Sequence, residues 1–369
     1  MLNYHSEFQF HKGIKVKNRI SLAPMTNLQS NLDGTVNQQE IHWLTLRAQG
    51  GFGLIITCCS HVSKQGQGWD NEFAIYDDKF IPGLTELACS LKKQGSINIV
   101  QLFHAGSRSP SKVTGAQPLS ASEFILDVPN FEKPRAMNLN DIKNVINDFA
   151  NAAERAYKSG FDGIEIHGAN GYLITQFLSK QTNFRNDEYG GSFENRARFL
   201  RDIIYSCQKK VPRSFLIGVR INPEGTFGEK GLDLDENLQL AKWLIEDGID
   251  FIDFSELNLF QPVKKYPEKN ICSISYFREQ IKDFPIIVTG GIKTPDDAKR
   301  AIDLGATFIN LGSIAIGNSD WPLQSLNYDY KPIMPPYSES YLKQRSDISK
   351  NFFEVLKKLA IFNLVKNDN

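Results

Sequence analysis

Gly163-Ile164-Glu165-Ile166-His167-Gly168-Ala169-Asn170-Gly171-Tyr172-Leu173, continuing at 185–199 as Arg-Asn-Asp-Glu-Tyr-Gly-Gly-Ser-Phe-Glu-Asn-Arg-Ala-Arg-Phe, is the stretch on which the fold turns. A short apolar run ends in a histidine, and a long polar segment separates it from the next helical pattern. His167 therefore closes a strand. In barrels of alternating strands and helices, chemistry sits at the C-terminal ends of the strands.

Upstream, Ile142, Val145, Ile146, Phe149, Ala152, Ala153 and Ala156 follow the 3, 4, 7 spacing of one buried helix face. Asn138 with Asp141 caps that helix and Gly160 stops it. Residues 106–137, rich in Ser, Pro and Gly, form a connection so long that it is read as a lid rather than a disordered linker. Earlier strands are read at 19–24, 53–57 and 98–102, with helices at 39–49 and about 84–93.

Downstream, a helix at 194–209 precedes a strand at 215–221, on which Gly218 and Arg220 share a face because side chains alternate. A helix at about 234–247, a strand at 251–254, a helix near 273–282 and a strand at 285–289 continue the alternation. Gly290-Gly291 then lead into Thr294-Pro295-Asp296-Asp297, a capped helix start, and 308–311 is the eighth strand. Eight strand-like runs in this order favour an α/β class (β/α)8 TIM barrel, with an open doubly wound sheet as the alternative. Residues 1–369 are read as one domain, the barrel spanning about 18–325. A C-terminal helical extension at about 338–364 carries Ile348, Phe352, Val355, Leu356 and Leu359 on one face. That face packs on the barrel or pairs subunits, which allows a homo-oligomer.

Charge is balanced, 42 basic against 42 acidic side chains, so nothing marks a nucleic-acid partner. The five cysteines, Cys58, Cys59, Cys89, Cys207 and Cys272, lack any spacing for zinc or an iron–sulfur cluster, and no metal site is expected. They read as reduced thiols. No window approaches the roughly 20 apolar residues of a membrane span, and the start of the chain has no leader pattern, so a cytoplasmic enzyme is expected.

The motifs resemble the Old Yellow Enzyme family of FMN-dependent, NAD(P)H-oxidising ene-reductases, from Asn18 to about Trp321. The most specific match is His167, Asn170, Gly171 and Tyr172 followed at family spacing by Arg185, Asp187, Glu188, Tyr189, Gly190, Gly191, Glu194, Asn195 and Arg196. The resemblance implies non-covalent FMN, with NADH or NADPH as reductant. Pro24, Met25 and Thr26 are similar to the loop under the flavin, Thr26 meeting the carbonyl at C4. Cys59 matches a position near the pyrimidine ring, Gln101 an amide at the flavin edge, and Arg220 the arginine beside N1. Where the family commonly has Gly-Arg after the eighth strand, this chain has Gly312-Ser313, so the phosphate loses a charged partner and FMN is expected to be held less tightly. Longer family members add an iron–sulfur region after the barrel, which is not expected here.

Each role has a physical basis. Reduced flavin carries negative charge near N1, which a permanently protonated guanidinium stabilises. Gly290-Gly291 before a capped helix offers backbone N–H groups and a positive helix end to a phosphate. No G-x-G-x-x-G follows a strand, so the reductant is expected to share the substrate pocket in alternating, ping-pong turnover. His167 and Asn170 can both donate to one carbonyl oxygen, drawing electrons from a conjugated C=C, and Tyr172 can supply the proton. His104 lines the pocket or belongs to the core, and the charges from Asp187 to Arg198 pin their loop. The competing functional readings are a flavin-binding barrel without reductase activity and a flavin-free lyase or aldolase.

Overall fold

The computed structural model describes residues 3–126, 131–225, 231–359 and 363–366. Eight parallel strands close on one another: β1 (Ile20–Leu22), β2 (Leu54–His61), β3 (Ile97–Phe103), β4 (Gly163–His167), β5 (Leu216–Ile221), β6 (Phe251–Ser255), β7 (Ile286–Thr289) and β8 (Phe308–Leu311). Each pairs with the next, and β8 returns to β1 through Ile309 beside Ile20 and Leu311 beside Leu22. The sheet is therefore a TIM barrel and not an open doubly wound sheet.

The barrel interior is layered. At the end where the strands begin, Leu54, Ile56, Ile99, Leu216, Phe251, Ile287 and Phe308 form a dry cluster. Phe10 and Val16, from an antiparallel hairpin pairing Phe8–Gln9 with Lys15–Val16, pack onto the same cluster and stop that end. Gly218 has a packing role, since a Cβ there would lie 2.1 Å from the Phe251 ring. Outside the barrel, helix Leu139–Lys158 buries the predicted face and carries the predicted Asn138–Asp141 capping box. Each such buried Val, Ile or Phe stabilises the fold by about 1.5–3 kcal/mol.

Several boundaries differ from the sequence expectations. β2 runs on to His61 rather than stopping at Thr57, because a register shift between Ile56 and Cys59 lets pairing with β3 resume at Cys59–Gln101. The helix expected to reach residue 282 ends at Arg278, whose guanidinium donates to the carbonyls of Ile281, Lys282 and Phe284 and holds the chain in a turn. The segment 106–137 is not a free flap among its described residues. It contains the turns Gly106–Arg108 and Ser111–Thr114 and a strand pair, Leu119–Ser120 with Arg135–Ala136. Residues 127–130 of the expected lid lie outside the described residues.

The C-terminal extension is two helices, Glu339–Ser346 and Lys350–Lys358, and not one. Asp347, at φ 45°, turns the chain between them. The extension packs on the barrel's helix layer: the Phe352 ring meets Trp43 edge-on at 5.4 Å, and Phe353 and Leu356 are buried alongside. Ile348 is buried outside the second helix, while Leu359 is partly exposed.

Candidate active site

The strand ends converge through register. His167 lies beside Arg220, Arg220 beside Asp253, Ser255 beside Thr289, and Thr289 beside Asn310. Above the apolar plug this produces a polar layer. Arg220 donates from Nη1 to Asp253 Oδ2 at 2.8 Å and from Nη2 to Ser255 Oγ at 3.1 Å. Asp253 also accepts from Thr289 and Asn310, each at 3.1 Å. Gln101 donates to Glu165 at 2.7 Å. Burial, reinforced by the nearby Asp253, pushes the Glu165 carboxyl up. Asp253 is raised by burial too, but Arg220 opposes that rise.

One wall of the mouth carries His167, Asn170 and Tyr172. Burial first, then the cations Arg220 and Arg108, holds the His167 imidazole well below its ordinary range. Its Nδ1 accepts the Ala169 N–H at 3.3 Å, so in the neutral ring Nε2 bears the proton and is a donor. Asn170 sits in the left-handed region at φ 61°, stabilised by its own N–H to Asn222 Oδ1 at 2.7 Å. Its side-chain oxygen accepts from Asn222 Nδ2 at 3.1 Å and from Ser255 Oγ at 3.0 Å. The Ser255 oxygen already accepts from Arg220, which can only donate, so the serine's proton goes to Asn170. That assignment leaves the Asn170 amide N–H groups as donors.

Tyr172 is half-buried, with its ring edge-on to Phe103 at 4.6 Å and to His167 at 5.1 Å. Burial pushes its hydroxyl up from its ordinary value, so it stays protonated at neutral pH. The Arg108 guanidinium lies over the Tyr172 ring, 5.3 Å from its centroid, and its positive charge opposes the rise of the hydroxyl. His104 is buried, with Nδ1 accepting the Gly106 N–H at 3.0 Å, and burial lowers it to about 3. It holds a turn.

The other candidates surround the opposite part of the mouth. Pro24, Met25 and Thr26 leave β1, and Thr26 stands near the Cys59 thiol, which burial keeps protonated. Gly290, at φ 128°, would set a Cβ 2.5 Å from Glu256 O, and Gly291, at φ 75°, one 2.8 Å from Asn258 Oδ1. Both must be glycine where the loop after β6 crosses them. A Cβ at Gly312 would stand 3.9 Å from both Ala23 and Met25. These glycines and Ser313 thus lie where loops from β1, β6, β7 and β8 meet.

One expectation needs correction. The helix after Gly290-Gly291, Pro295–Asp303, has a capping box in which Asp297 accepts the N–H groups of Lys293 at 3.0 Å and Thr294 at 2.9 Å. Its positive end is already matched by a carboxylate, so it is poorly suited to a phosphate. The short helix Ser313–Gly317 is better suited, since the amides of Ser313 and Ile314 have no protein acceptor among the described residues. At its other end the buried Arg47 guanidinium donates to the carbonyls of Ala315 and Ile316 and stacks on Trp43 at 3.9 Å.

The donor set fits a flavin mononucleotide. Arg220 keeps a buried Nε with no partner, Gln101 commits its amide nitrogen to Glu165 yet retains a second N–H, and free amides stand at Gly312-Ser313. Arg108, Ser255 and Asn222 were not singled out from the sequence. Ser255 could have been, being two residues after Asp253 on the same face of β6. Arg108 follows no periodicity, and no pattern points to it.

Fold and site define the class: a parallel-barrel oxidoreductase whose strand ends hold a flavin. The chain belongs to the NADH:flavin oxidoreductase / NADH oxidase family, the family of Old Yellow Enzyme, whose sequence pattern matches residues 8–328. It is an NAD(P)H-dependent flavin enzyme with FMN as cofactor. A probable NADH-dependent flavin oxidoreductase, YqiG, of Bacillus subtilis is 32% identical over 86% of each chain. The NADH:acrylate oxidoreductase of Vibrio harveyi is 34% identical over 87% of this chain, but the match spans only 33% of that longer protein. Among solved structures, the old yellow enzyme homologue of Zymomonas mobilis superimposes with a TM-score of 0.81 at 27% identity, over 94% of this chain and 99% of the other. No helix among the described residues is long and apolar enough to cross a membrane.

Proposed function

We propose that this enzyme takes hydride from NADH or NADPH and delivers it to an alkene conjugated to a carbonyl, the two substrates using one mouth in alternation. The observation that carries the reading is the convergence of three donors, His167 Nε2–H, the Asn170 amide and the Tyr172 hydroxyl, on one wall. FMN, when bound, supplies the two-electron hydride chemistry. Thr26, Cys59 and Gln101 would border its ring, Arg220 would face its N1 side, and Pro24, Met25, Gly290, Gly291, Gly312 and Ser313 would frame its tail and phosphate.

On the protein side, His167 and Asn170 hold the acceptor's carbonyl oxygen and stabilise the negative charge that develops there. Neutral His167 does this by donating a hydrogen bond rather than a full charge. Tyr172 gives its proton to the α carbon, with the nearby Arg108 cation easing the charge left on the oxygen. We place the enzyme in the cytoplasm, which its five free cysteines support, and read residues 1–369 as one unit because Phe352 packs onto Trp43.

The test uses protein reconstituted with FMN under anaerobic conditions. Flavin absorbance should bleach on adding NADH or NADPH and recover on adding 2-cyclohexenone. Bleaching without recovery would remove the alkene step, and failure to bleach would leave a flavin-binding barrel.

A further inference from the structure

Arg108 belongs to no part of the flavin set. Among the described residues no carboxylate lies within ion-pair distance of it, whereas Arg220, the other guanidinium of the mouth, is paired with Asp253 at 2.8 Å. It is exposed on the turn just beyond β3, at the edge of an aromatic cluster in which Trp69 and Tyr172 are partly exposed over the buried Phe103. Its position is nevertheless fixed. Gln176 Oε1 accepts the Ser107 N–H at 3.0 Å, Gln176 Nε2 donates to Gly171 O at 2.8 Å, and the Leu173 N–H donates to His104 O at 3.2 Å. Gly106 closes this joint at φ 65°, where a Cβ would stand 2.5 Å from Gln176 Oε1. The turn is thus fastened to the same segment that carries His167, Asn170 and Tyr172.

We propose that Arg108 makes the acceptor site selective for an alkene with two polar ends, a carbonyl taken by His167 and Asn170 and a carboxylate taken by Arg108. The proposal rests on the alkene-reductase reading above. From Arg108 to the Tyr172 ring is 5.3 Å and from that ring to His167 is 5.1 Å, so the two anchoring points are no further apart than those steps laid end to end. A four- or five-carbon chain between a carbonyl and a carboxylate fits within that limit, as an unsaturated 4-oxo acid does. The cation is a planar fork suited to carboxylate geometry, and partial shelter by the aromatic wall strengthens the pairing. In the reaction the C=C gains a hydride and the Tyr172 proton, and the carboxylate passes through unchanged.

The test compares 4-oxo-2-pentenoate with its methyl ester as acceptors of the FMN-loaded enzyme, and 4-oxopentanoate with its methyl ester as non-reducible ligands read by calorimetry. The wild type should prefer acid over ester in both KM and Kd. Arg108→Gln should reduce that preference roughly ten- to hundred-fold, as loss of a charge-assisted hydrogen bond does, and Arg108→Lys should retain part of it. Any effect of Arg108 on Tyr172 is common to both compounds and cancels in the ratio. An absent wild-type preference for the acid, or a ratio unchanged in Arg108→Gln, overturns the proposal. So does a rise confined to the KM of NADH or NADPH, which would assign the cation to the reductant's phosphates. Reduction of neither acid nor ester would instead count against the alkene-reductase reading itself.

Discussion

Among single residues, the proposed reaction divides its labour most sharply at Tyr172. A general acid that acts only in the second half of the cycle contributes nothing to the first. Tyr172→Phe should therefore slow flavin reoxidation by an enone about 100-fold or more while leaving flavin reduction by NADH nearly unchanged, as two stopped-flow half-reactions would show. Equal slowing of both would remove the proton-donor role. That His167, Asn170 and Tyr172 stand together on one wall was legible in sequence because a strand end and a run of matching positions bracket them. Their hydrogen-bond polarity was not. Which atom of the Asn170 amide faces the mouth is decided by Ser255 and, behind it, Arg220, residues 85 and 50 positions further along the chain and joined to it by folding alone. Arg108 was illegible for a different reason, since it sits in a turn whose place is set by contacts with Gln176.

At the level of elements, strands and long helices could be read because burial imposes a period on them, and their ends could not, because ends answer to individual side chains. Arg278 turns one helix early and Asp347 divides another. The capped helix at Pro295 shows how a correct local reading can mislead: its start was recognised, but the cap that marks the start also uses up its positive end. Helix Gln38–Gln49 yields a test of buried charge. Its Glu40 is fully buried, accepts from Asn27 at 2.9 Å and from the Cys58 thiol at 3.5 Å, and is pushed up to about 7, above its usual 4.5, by burial. A raised carboxyl contributes full stability below the unfolded value and loses it as pH rises through the folded one. The wild type should therefore lose stability between about pH 5 and pH 8 relative to Glu40→Gln, measured as the difference in Tm across that range. Parallel curves would show that Glu40 does not titrate there.

For the molecule as a whole, cofactor and fold are thermodynamically linked, since a ligand bound only by the folded chain raises its stability. Ser313 tests that link. Ser313→Arg puts a guanidinium beside the amides of Ser313 and Ile314, and should tighten FMN roughly ten-fold or more and raise the Tm of the loaded protein. An unchanged Kd would show that the backbone at Gly312-Ser313 is not where the phosphate lies. The order of eight strands was readable because each run carries its own pattern, whereas the plug beneath them was not, since Phe10 and Val16 say nothing alone about where they pack. That plug has a kinetic meaning. With Phe10 wedged among Phe251 and Phe308, the barrel is a cul-de-sac. In the proposed reaction fuel and cargo therefore queue at one doorway, each blocking the other while it stands there, so crowding by either partner would slow the traffic of both.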